Sequence, residues 1–467
     1  MKNIFTDKKI RYGAFSTVIT LVFIALLIVV NLVIGELDYK IDMTSAETYS
    51  ISDKTKEVLS GLDKDITIYT MFKTGNSDSI VTRVGKVLDQ YARDSHITVE
   101  NKDLYLYPEF AKQYSSEDKT VNLNSLIVTN GSKFRVIDYS EYFDTSGVLN
   151  VESCVTSAIN YVGLESTPVV YAVTGHGEIE PQVFSSFVKQ AELANYEIKT
   201  LDLIKEDIPS DCSALFITTS YRDYSDEEVQ KVKDYLTNDG RLLFVASDLK
   251  KADHPKLLSI INGYGLELGE TYVMESDMEN YRSYPFEVFA HLTAHSINDS
   301  LKANSYKVLA YGANAVKVLE LKKQGLEIED VLTTSDTAYI KGEGNMSPNP
   351  EDGDETGRFT IAAAVTDSTY TDKAHATKLI VCGSLYMLDA NVDSAVNGAN
   401  ASFLVNCLNW LNDTEENVYI APKSLADGKL ENITAADVNK IKIFAWGVIP
   451  GLLLVIGAVV CIRRHNG

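Results

Sequence analysis

The feature that most constrains this chain is a long, uncharged, apolar stretch near each end. Residues 14–34 form one stretch of 21 residues, and residues 443–462 form a second of 20 residues. About 20 apolar residues suffice to cross the ~30 Å hydrocarbon core of a bilayer as a helix. The sequence therefore predicts two transmembrane helices, one on each side of a large middle region.

Basic residues beside the two stretches predict their orientation. The tail 1–13 contains four lysines and arginines, and the tail 463–467 contains two arginines. Because cytoplasmic flanks are enriched in these residues, both tails are predicted to be cytoplasmic. The first stretch is longer than a signal-peptide core, and no small-residue cleavage site follows it. We therefore expect an uncleaved, two-pass protein of the plasma membrane whose bulk is extracytoplasmic.

Overall charge limits the partners that the chain can bind. The sequence contains 43 lysines and arginines against 65 aspartates and glutamates, a net charge of −22. A surface this acidic excludes nucleic acid as a partner, since nucleic-acid binding requires a basic face. The lipid bilayer is predicted as a partner only of the two terminal helices. The sequence has no G-x-x-x-x-G-K-[ST] motif, so ATP hydrolysis by a P-loop is not expected, and no cofactor is predicted.

The first part of the middle region, residues 35–150, predicts a thioredoxin-like α/β domain. Its pattern is strand, helix, strand and hairpin, with segments at 66–72, 79–93, 97–104 and 124–139. The hairpin turns at Asn130-Gly131, a dipeptide typical of tight β-turns. The domain contains no C-x-x-C motif, so thioredoxin redox chemistry is not expected.

The second part, residues 151–425, predicts a doubly wound α/β domain of the Rossmann or flavodoxin-like type. Strands alternate with helices, and Ser225 with Glu228 forms a capping box that opens one helix. The pattern loosens from 265 to 345, and the acidic segment 343–357 predicts an exposed loop. A stalk at 426–442 follows. The strands and helices are predicted at 168–175, 181–194, 197–203, 213–219, 240–247, 357–367, 378–384 and 403–411.

One motif is the strongest candidate for a functional site. Thr174, Gly175, His176, Gly177 and Glu178 follow a buried strand, at the position where open α/β sheets bind ligands. The two glycines would let the backbone approach a ligand closely. Three interpretations stay open at this point: binding of a ligand or partner, a structural turn, and acid–base catalysis by the histidine and glutamate. No nucleophile is evident nearby, so no catalytic residue is assigned.

Weaker candidates are interpreted structurally. His291 and His295 have i, i+4 spacing, but no third metal ligand is evident. Cys382 ends a strand without a nucleophile-elbow pattern, so burial is expected. The acidic residues of 351–355 lack EF-hand spacing, which favours a solvated loop. No metal site is predicted.

Several ordered motifs resemble the GldG-like ABC transporter auxiliary components, a family named for gliding motility. The opening motifs are Asp42-Met43-Thr44 and Tyr49-Ser50-Ile51-Ser52. The motif 174–178 comes next, followed by Glu227-Glu228 with Tyr235-Leu236 and 239–243. An AAA strand at 362–364 and Asn409-Trp410-Leu411 complete the series. The resemblance covers residues 38–425 and is poorest at 270–345. Met43 replaces the usual leucine.

The resemblance implies an accessory, non-ATPase subunit of a bacterial ABC transport system. Such a subunit would be membrane-anchored and extracytoplasmic, beside a separate permease and a cytoplasmic ATPase. Its α/β domains would bind a substrate or an envelope partner, either glycan or protein. Two other functions remain open: an exported hydrolase that uses His176 and Glu178, and a structural cell-envelope protein without a transporter.

Overall fold

The computed structural model describes most of the middle of the chain. The described residues are 18, 21–22, 24–26, 28–29, 49–75, 78–115, 120–143, 148–164, 166–342, 344–345, 347–369, 376–414 and 423–424. Residues 51–422 form one compact unit, and residues 1–50 together with 423–467 form another. In the latter, the described residues between Val18 and Val29 are helical and exposed, and Lys423–Ser424 is a short strand.

The described residues do not support a membrane-spanning chain. None of their helices combines the length and the hydrophobicity that a crossing requires. This finding contradicts the prediction of two transmembrane helices at 14–34 and 443–462, and with it the two-pass plasma-membrane location. The second stretch, both tails, the stalk 426–442 and most of 14–34 lie outside the described residues.

A four-stranded sheet with order β2-β1-β3-β4 forms the first part of the compact unit. Strand β1 pairs with β2 in parallel and with β3 antiparallel, and β3 and β4 form the hairpin. The thioredoxin-like assignment of residues 35–150 stays a prediction. The elements are α1 (Asp53–Ser60), β1 (Ile66–Thr70), α2 (Ser79–Tyr91), β2 (Ile97–Asn101), α3 (Pro108–Lys112), β3 (Leu126–Thr129), β4 (Phe134–Ile137), α4 (Tyr139–Tyr142), β5 (Val148–Leu149) and α5 (Val151–Gly163).

A buried carboxylate ties the start of the compact unit to α5. The Oε1 atom of Glu152 accepts hydrogen bonds from the backbone N–H of Ser52, at 2.6 Å, and from the hydroxyl of Thr55, at 2.7 Å. Ser52 also caps α1, because its side chain accepts from the Thr55 N–H. The serine that ends the motif 49–52 therefore anchors both a helix start and the path of the chain.

A nine-stranded sheet dominates the rest of the unit, with order β12-β11-β14-β17-β18-β9-β8-β6-β7. The five strands from β18 to β7 run parallel, and those from β12 to β17 pair antiparallel. Their bounds are β6 (Val169–Thr174), β7 (Glu197–Asp202), β8 (Cys212–Thr218), β9 (Arg241–Val245), β11 (Glu287–Leu292), β12 (Val308–Tyr311), β14 (Leu326–Thr333), β17 (Thr360–Asp367) and β18 (Thr377–Cys382).

Helices cover both faces of the parallel strands. On β6, Val170 and Ala172 belong to one hydrophobic core, whereas Tyr171 and Val173 belong to the other. Successive side chains of a strand point to opposite faces, so both faces of this strand are buried, as parallel sheets require. The helices are α6 (Ser185–Leu193) and α11 (Ala399–Leu411) at the first core, and α7 (Asp226–Thr237) and α8 (Pro255–Asn262) at the second.

A smaller sheet with order β13-β10-β15-β16 occupies the segment where the sequence pattern loosens. The backbone N–H of Asn314 donates to the carbonyl oxygen of Gly383, at 2.7 Å, just after β18. Its side-chain Oδ1 accepts from the N–H of Asp248, at 2.8 Å. The remaining elements are α9 (Asp299–Ala303), α10 (Ala390–Ser394), β10 (Leu266–Glu275), β13 (Asn314–Val318), β15 (Ala338–Ile340) and β16 (Glu355–Thr356).

The acidic segment 343–357 folds back onto two lysines. Lys341 is buried, and its Nζ lies 2.8 Å from Asp354 and 3.1 Å from Glu351. Hydrogen bonds from Asn345, Ser347 and Lys341 lower the pKa of Glu351 to about 2. Glu355 pairs with Lys317 at 3.0 Å. These carboxylates therefore form ion pairs with lysines, and the segment is more than a solvated loop.

The contact at Gly383 predicts a sharp sensitivity to substitution. A Cβ at this position would overlap the backbone carbonyl oxygen of Asn314, and Asn314 cannot move away without breaking the hydrogen bond from its N–H to the carbonyl of Gly383. Gly383→Ala is expected to lower the free energy of unfolding by about 3 kcal/mol, measured by urea denaturation. Gly85→Ala, in α2 with no atom near the new methyl, should raise it by about 1 kcal/mol. Equal effects of the two changes would contradict the packing described here.

Candidate functional site

The motif 174–178 lies at the carboxyl edge of the parallel strands. It follows β6, whose neighbours are β7 on one side and β8 on the other. From β6 the chain first adds β7 on one side, and later strands add on the other side, through β8, β9 and β18. The strand order therefore reverses between β6 and β8, the position where open α/β sheets bind ligands.

Both glycines of the motif adopt backbone conformations that other residues rarely adopt. Gly175 has φ +121° and Gly177 has φ +84°. A Cβ on Gly177 would lie 2.6 Å from Cδ2 of Tyr221, and a Cβ on Gly175 would lie 3.1 Å from Oδ1 of Asp202. Glycine is therefore required at 177 both for the turn and for the approach of the Tyr221 ring.

His176 points into the protein, between two glutamates. This histidine is only 6% exposed. Nε2 lies 3.3 Å from Oε2 of Glu228, and Nδ1 lies 3.8 Å from Oε1 of Glu178. The ring packs on the ring of Tyr224, with centroids 4.7 Å apart. Meanwhile the backbone carbonyl of His176 accepts from the N–H groups of Tyr221 and of the next residue, at 3.0 and 3.1 Å.

Glu178 closes the turn. Its Oε2 accepts from the backbone N–H of His176 at 2.8 Å, and its Oε1 accepts from the hydroxyl of Tyr224 at 2.9 Å. Burial, and then the charge of Glu178, raise the pKa of Tyr224 well above its ordinary value. The phenol therefore stays protonated and keeps donating to the carboxylate.

Glu228 connects this turn to the start of α7. The capping box predicted from the sequence is confirmed: Ser225 accepts from the N–H of Glu228, and Oε2 of Glu228 accepts from the N–H of Ser225 at 2.9 Å. The same Oε2 faces His176. One carboxylate oxygen thus serves both the helix cap and the turn after β6.

The outward surface of the motif comes from other loops. Tyr221 and Arg222 are exposed, and the Arg222 guanidinium donates to the carbonyl of Gly175 at 2.8 Å. Ile204, exposed after β7, would contact a Cβ on Gly175 at 3.4 Å. Thr174 is half-buried beside the carbonyl of Leu201. The structure therefore brings the five predicted residues into one turn, but directs His176 and Glu178 away from solvent.

The sequence pattern did not identify Tyr221 and Tyr224 as neighbours of the motif, and it did not predict the contact of Glu228 with His176. These residues lie about fifty positions after the motif, in the loop after β8 and in the first turn of α7. The carboxyl ends of neighbouring parallel strands meet at one edge. The predicted order of strands therefore carried a signal that the two loops would meet, although not which side chains would touch.

The weaker candidates take structural positions. His291 lies in β11 and His295 precedes a short 3₁₀ helix, so the two do not share a helix face. Cys382 is buried at the end of β18, and burial raises the pKa of its thiol to about 12. Within the described residues, no group of three or more histidines, cysteines, aspartates or glutamates could hold a metal ion.

A family comparison identifies the chain. Residues 167–407 match a family described as an ABC-type uncharacterized transport system. The chain belongs to this family of ABC transport auxiliary components. The auxiliary role predicted from the motifs is thereby confirmed at the level of the family, while the narrower likeness to the GldG type stays a prediction. Residues 45–141 match a domain of unknown function.

Other comparisons are more distant. No curated protein sequence matches the chain. Among solved structures, the mmIFT52 N-terminal domain is 14% identical over 54% of this chain and 100% of its own, with a TM-score of 0.39. A domain of alkylhydroperoxide reductase AhpF from Enterococcus faecalis is 13% identical over 32% of this chain and 78% of its own, with a TM-score of 0.20. Scores this low do not establish a shared fold.

Gly177 provides a test of the turn geometry. Gly177→Ala introduces both backbone strain and a clash with Tyr221, so it should lower the free energy of unfolding by about 3 kcal/mol. Gly131→Ala is a matched control, because Gly131 has φ +86° with no atom within 4 Å of the new methyl. This control should cost only about 1 kcal/mol. In a Tyr221→Ala background the difference between the two costs should shrink, because only the Cβ of residue 221 remains near the new methyl; an unchanged difference would contradict the contact with the ring.

The Tyr224 hydroxyl provides a second test. Tyr224→Phe leaves a buried oxygen of Glu178 without its donor, so the free energy of unfolding at pH 7 should fall by about 2 kcal/mol. Tyr171→Phe is the control, because its hydroxyl donates to the exposed Asp211, which water can satisfy. We expect less than about 1 kcal/mol there. Urea denaturation measures both, and a neutral Tyr224→Phe would contradict the buried hydrogen bond.

Proposed function

We propose that this chain is a non-ATPase accessory subunit that binds the permease or the ATPase of an ABC transport system, or its transported substrate, through the carboxyl edge of the nine-stranded sheet. The observation that carries the proposal is the position of the motif 174–178. It lies within the family match at 167–407 and at the point where the strand order reverses. An auxiliary subunit must contact the components that it assists, and this edge is where open α/β sheets bind ligands.

The direction of the side chains favours contact through a surface over chemistry by the motif itself. His176 and Glu178 hold the turn from inside, while Tyr221, Arg222 and Ile204 are exposed around it. A turn whose interior is hydrogen-bonded presents its outer residues in one arrangement, so little ordering entropy is lost on binding.

The geometry weighs against the alternative of a hydrolase. A general acid or base must come within hydrogen-bond reach of the proton that it moves. Both ring nitrogens of His176 face carboxylates, and Glu178 is 7% exposed. Both side chains are buried, so a substrate cannot reach either group in this conformation. We therefore propose a binding role for this motif, without a reaction.

Affinity capture tests the proposal. The tagged full-length chain, recovered from detergent-treated cells, is expected to retain an ABC ATPase and a multi-span permease, identified by mass spectrometry. Ile204→Asp, at the carboxyl edge, should reduce their recovery about tenfold, because a charge would be buried in the contact. Leu321→Asp, at a more exposed aliphatic position near the opposite edge, should not. Recovery of neither component with the unmodified chain would refute the proposal.

A further inference from the structure

Four tyrosines and one aspartate converge beside the motif 174–178. Tyr221 follows β8, Asp248 follows β9 and Tyr386 follows β18, so all three lie at the carboxyl edge of parallel strands. Tyr272 comes from β10 and Tyr311 ends β12. We name these five residues the tyrosine cluster. Five separate elements supply it, and the comparisons assign it no role.

Short contacts hold the inner members together. The rings of Tyr311 and Tyr386 meet edge-to-face, with centroids 5.3 Å apart. The hydroxyl of Tyr272 donates to Oδ2 of Asp248 at 2.9 Å. Gly312, with φ +55°, leaves room for two rings, since a Cβ there would lie 3.3 Å from Tyr386 and 3.6 Å from Tyr272. The rings are therefore fixed by packing before any partner arrives.

Electrostatic interactions agree with this arrangement. Burial raises the pKa of Tyr386, and the negative charge of Asp248 raises it further. Burial and the hydrogen bond to Asp248 likewise raise the pKa of Tyr272. The phenols of Tyr386 and Tyr272 are therefore uncharged at neutral pH, and Asp248 is the acidic residue of the cluster.

The outer part of the cluster is open to solvent. Tyr221 is 89% exposed and Tyr386 is 40% exposed. Asp248 is exposed too, and its backbone is held in the left-handed region, φ +61°, by the hydrogen bond from its N–H to Asn314. Within the described chain, no lysine or arginine lies over these four rings, whereas Lys378 lies 4.9 Å over the ring of Trp410.

Aromatic faces next to a carboxylate are suited to a cation. Each ring face is electron-rich and attracts ammonium or guanidinium groups, and Asp248 adds a full charge. The net charge of −22 strengthens this preference by attracting basic partners over a distance. We propose that the tyrosine cluster docks a lysine- or arginine-rich segment of a protein partner.

The exposure of Tyr221 favours a protein segment over a small amine. A free amine would leave most of this ring in water, whereas a peptide segment can cover it and place a basic side chain beside Asp248. Tyrosine and arginine are also the residues that most often anchor protein interfaces. The inference rests on the proposed function in one respect only: the partner would be a component of the transport system.

Binding of defined peptides tests the inference. The probe is a fluorescent twelve-residue peptide of alternating arginine and glycine, titrated with the purified full-length chain at about 0.15 M salt, where distant charges are screened. A peptide with glutamine in place of arginine is the neutral probe. Fluorescence anisotropy should show tighter binding of the arginine peptide.

Matched variants separate the cluster from the general acidity of the chain. Tyr221→Leu should weaken binding of the arginine peptide about fivefold, whereas Tyr221→Phe, which keeps the ring face, should leave it unchanged. Asp248→Asn should weaken it about fivefold too, and asparagine tolerates the left-handed backbone. Asp352→Asn, an exposed acid elsewhere, should have no effect. All four variants should unfold at the same urea concentration as the unmodified chain.

Three outcomes would overturn the inference. One is equal binding of the arginine and glutamine peptides. Another is equal weakening by Asp248→Asn and Asp352→Asn, which would show unspecific charge attraction. The third is Tyr221-dependent binding of a neutral oligosaccharide without charge dependence. Because affinity capture of the ATPase and permease is a separate measurement, its success alongside any of these outcomes would refute the docking inference and leave the proposed function standing.

Discussion

The parallel pairing of β6 with β8 is the constraint on which the candidate site depends. The register places Val170 beside Ala214 and Ala172 beside Phe216, with both strands buried between helices. Parallel pairing puts the carboxyl ends of both strands at one edge. The turn at 174–178 therefore meets the loop that carries Tyr221 and Tyr224, although the two loops are distant in sequence. A one-residue shift of either strand would exchange its buried faces and separate these loops.

Local pattern was sufficient to predict most individual elements of residues 51–422. The strand at 168–175 is observed at 169–174, the helix at 79–93 is observed at 79–91, and the capping box at Ser225 opens α7. These predictions are correct because strong periodicity and capping residues determine structure over a few positions. The strands of segment 265–345 could not be predicted from the sequence pattern. They pair antiparallel with strands that are distant in sequence, and the register of part of β10 is irregular.

The candidate site shows a different limit of sequence reasoning. The two glycines and the position after a buried strand indicated a special turn, and the positive φ values agree. The direction of the His176 side chain could not be predicted, because it depends on a contact with Glu228. The sequence shows that Glu228 caps a helix, but it does not show that the same side chain faces His176. The exposed rings of the tyrosine cluster escaped notice for a related reason: each is an isolated tyrosine until the fold brings five elements together.

Asn314 gives the smaller sheet a mechanical role at this edge. Its backbone N–H binds the carbonyl of Gly383 after β18, and its side chain binds the N–H of Asp248 after β9. One residue of β13 thus clamps two loops of the large sheet. Because one residue is bonded to both loops, a displacement of β13 would act on both of them at the carboxyl edge.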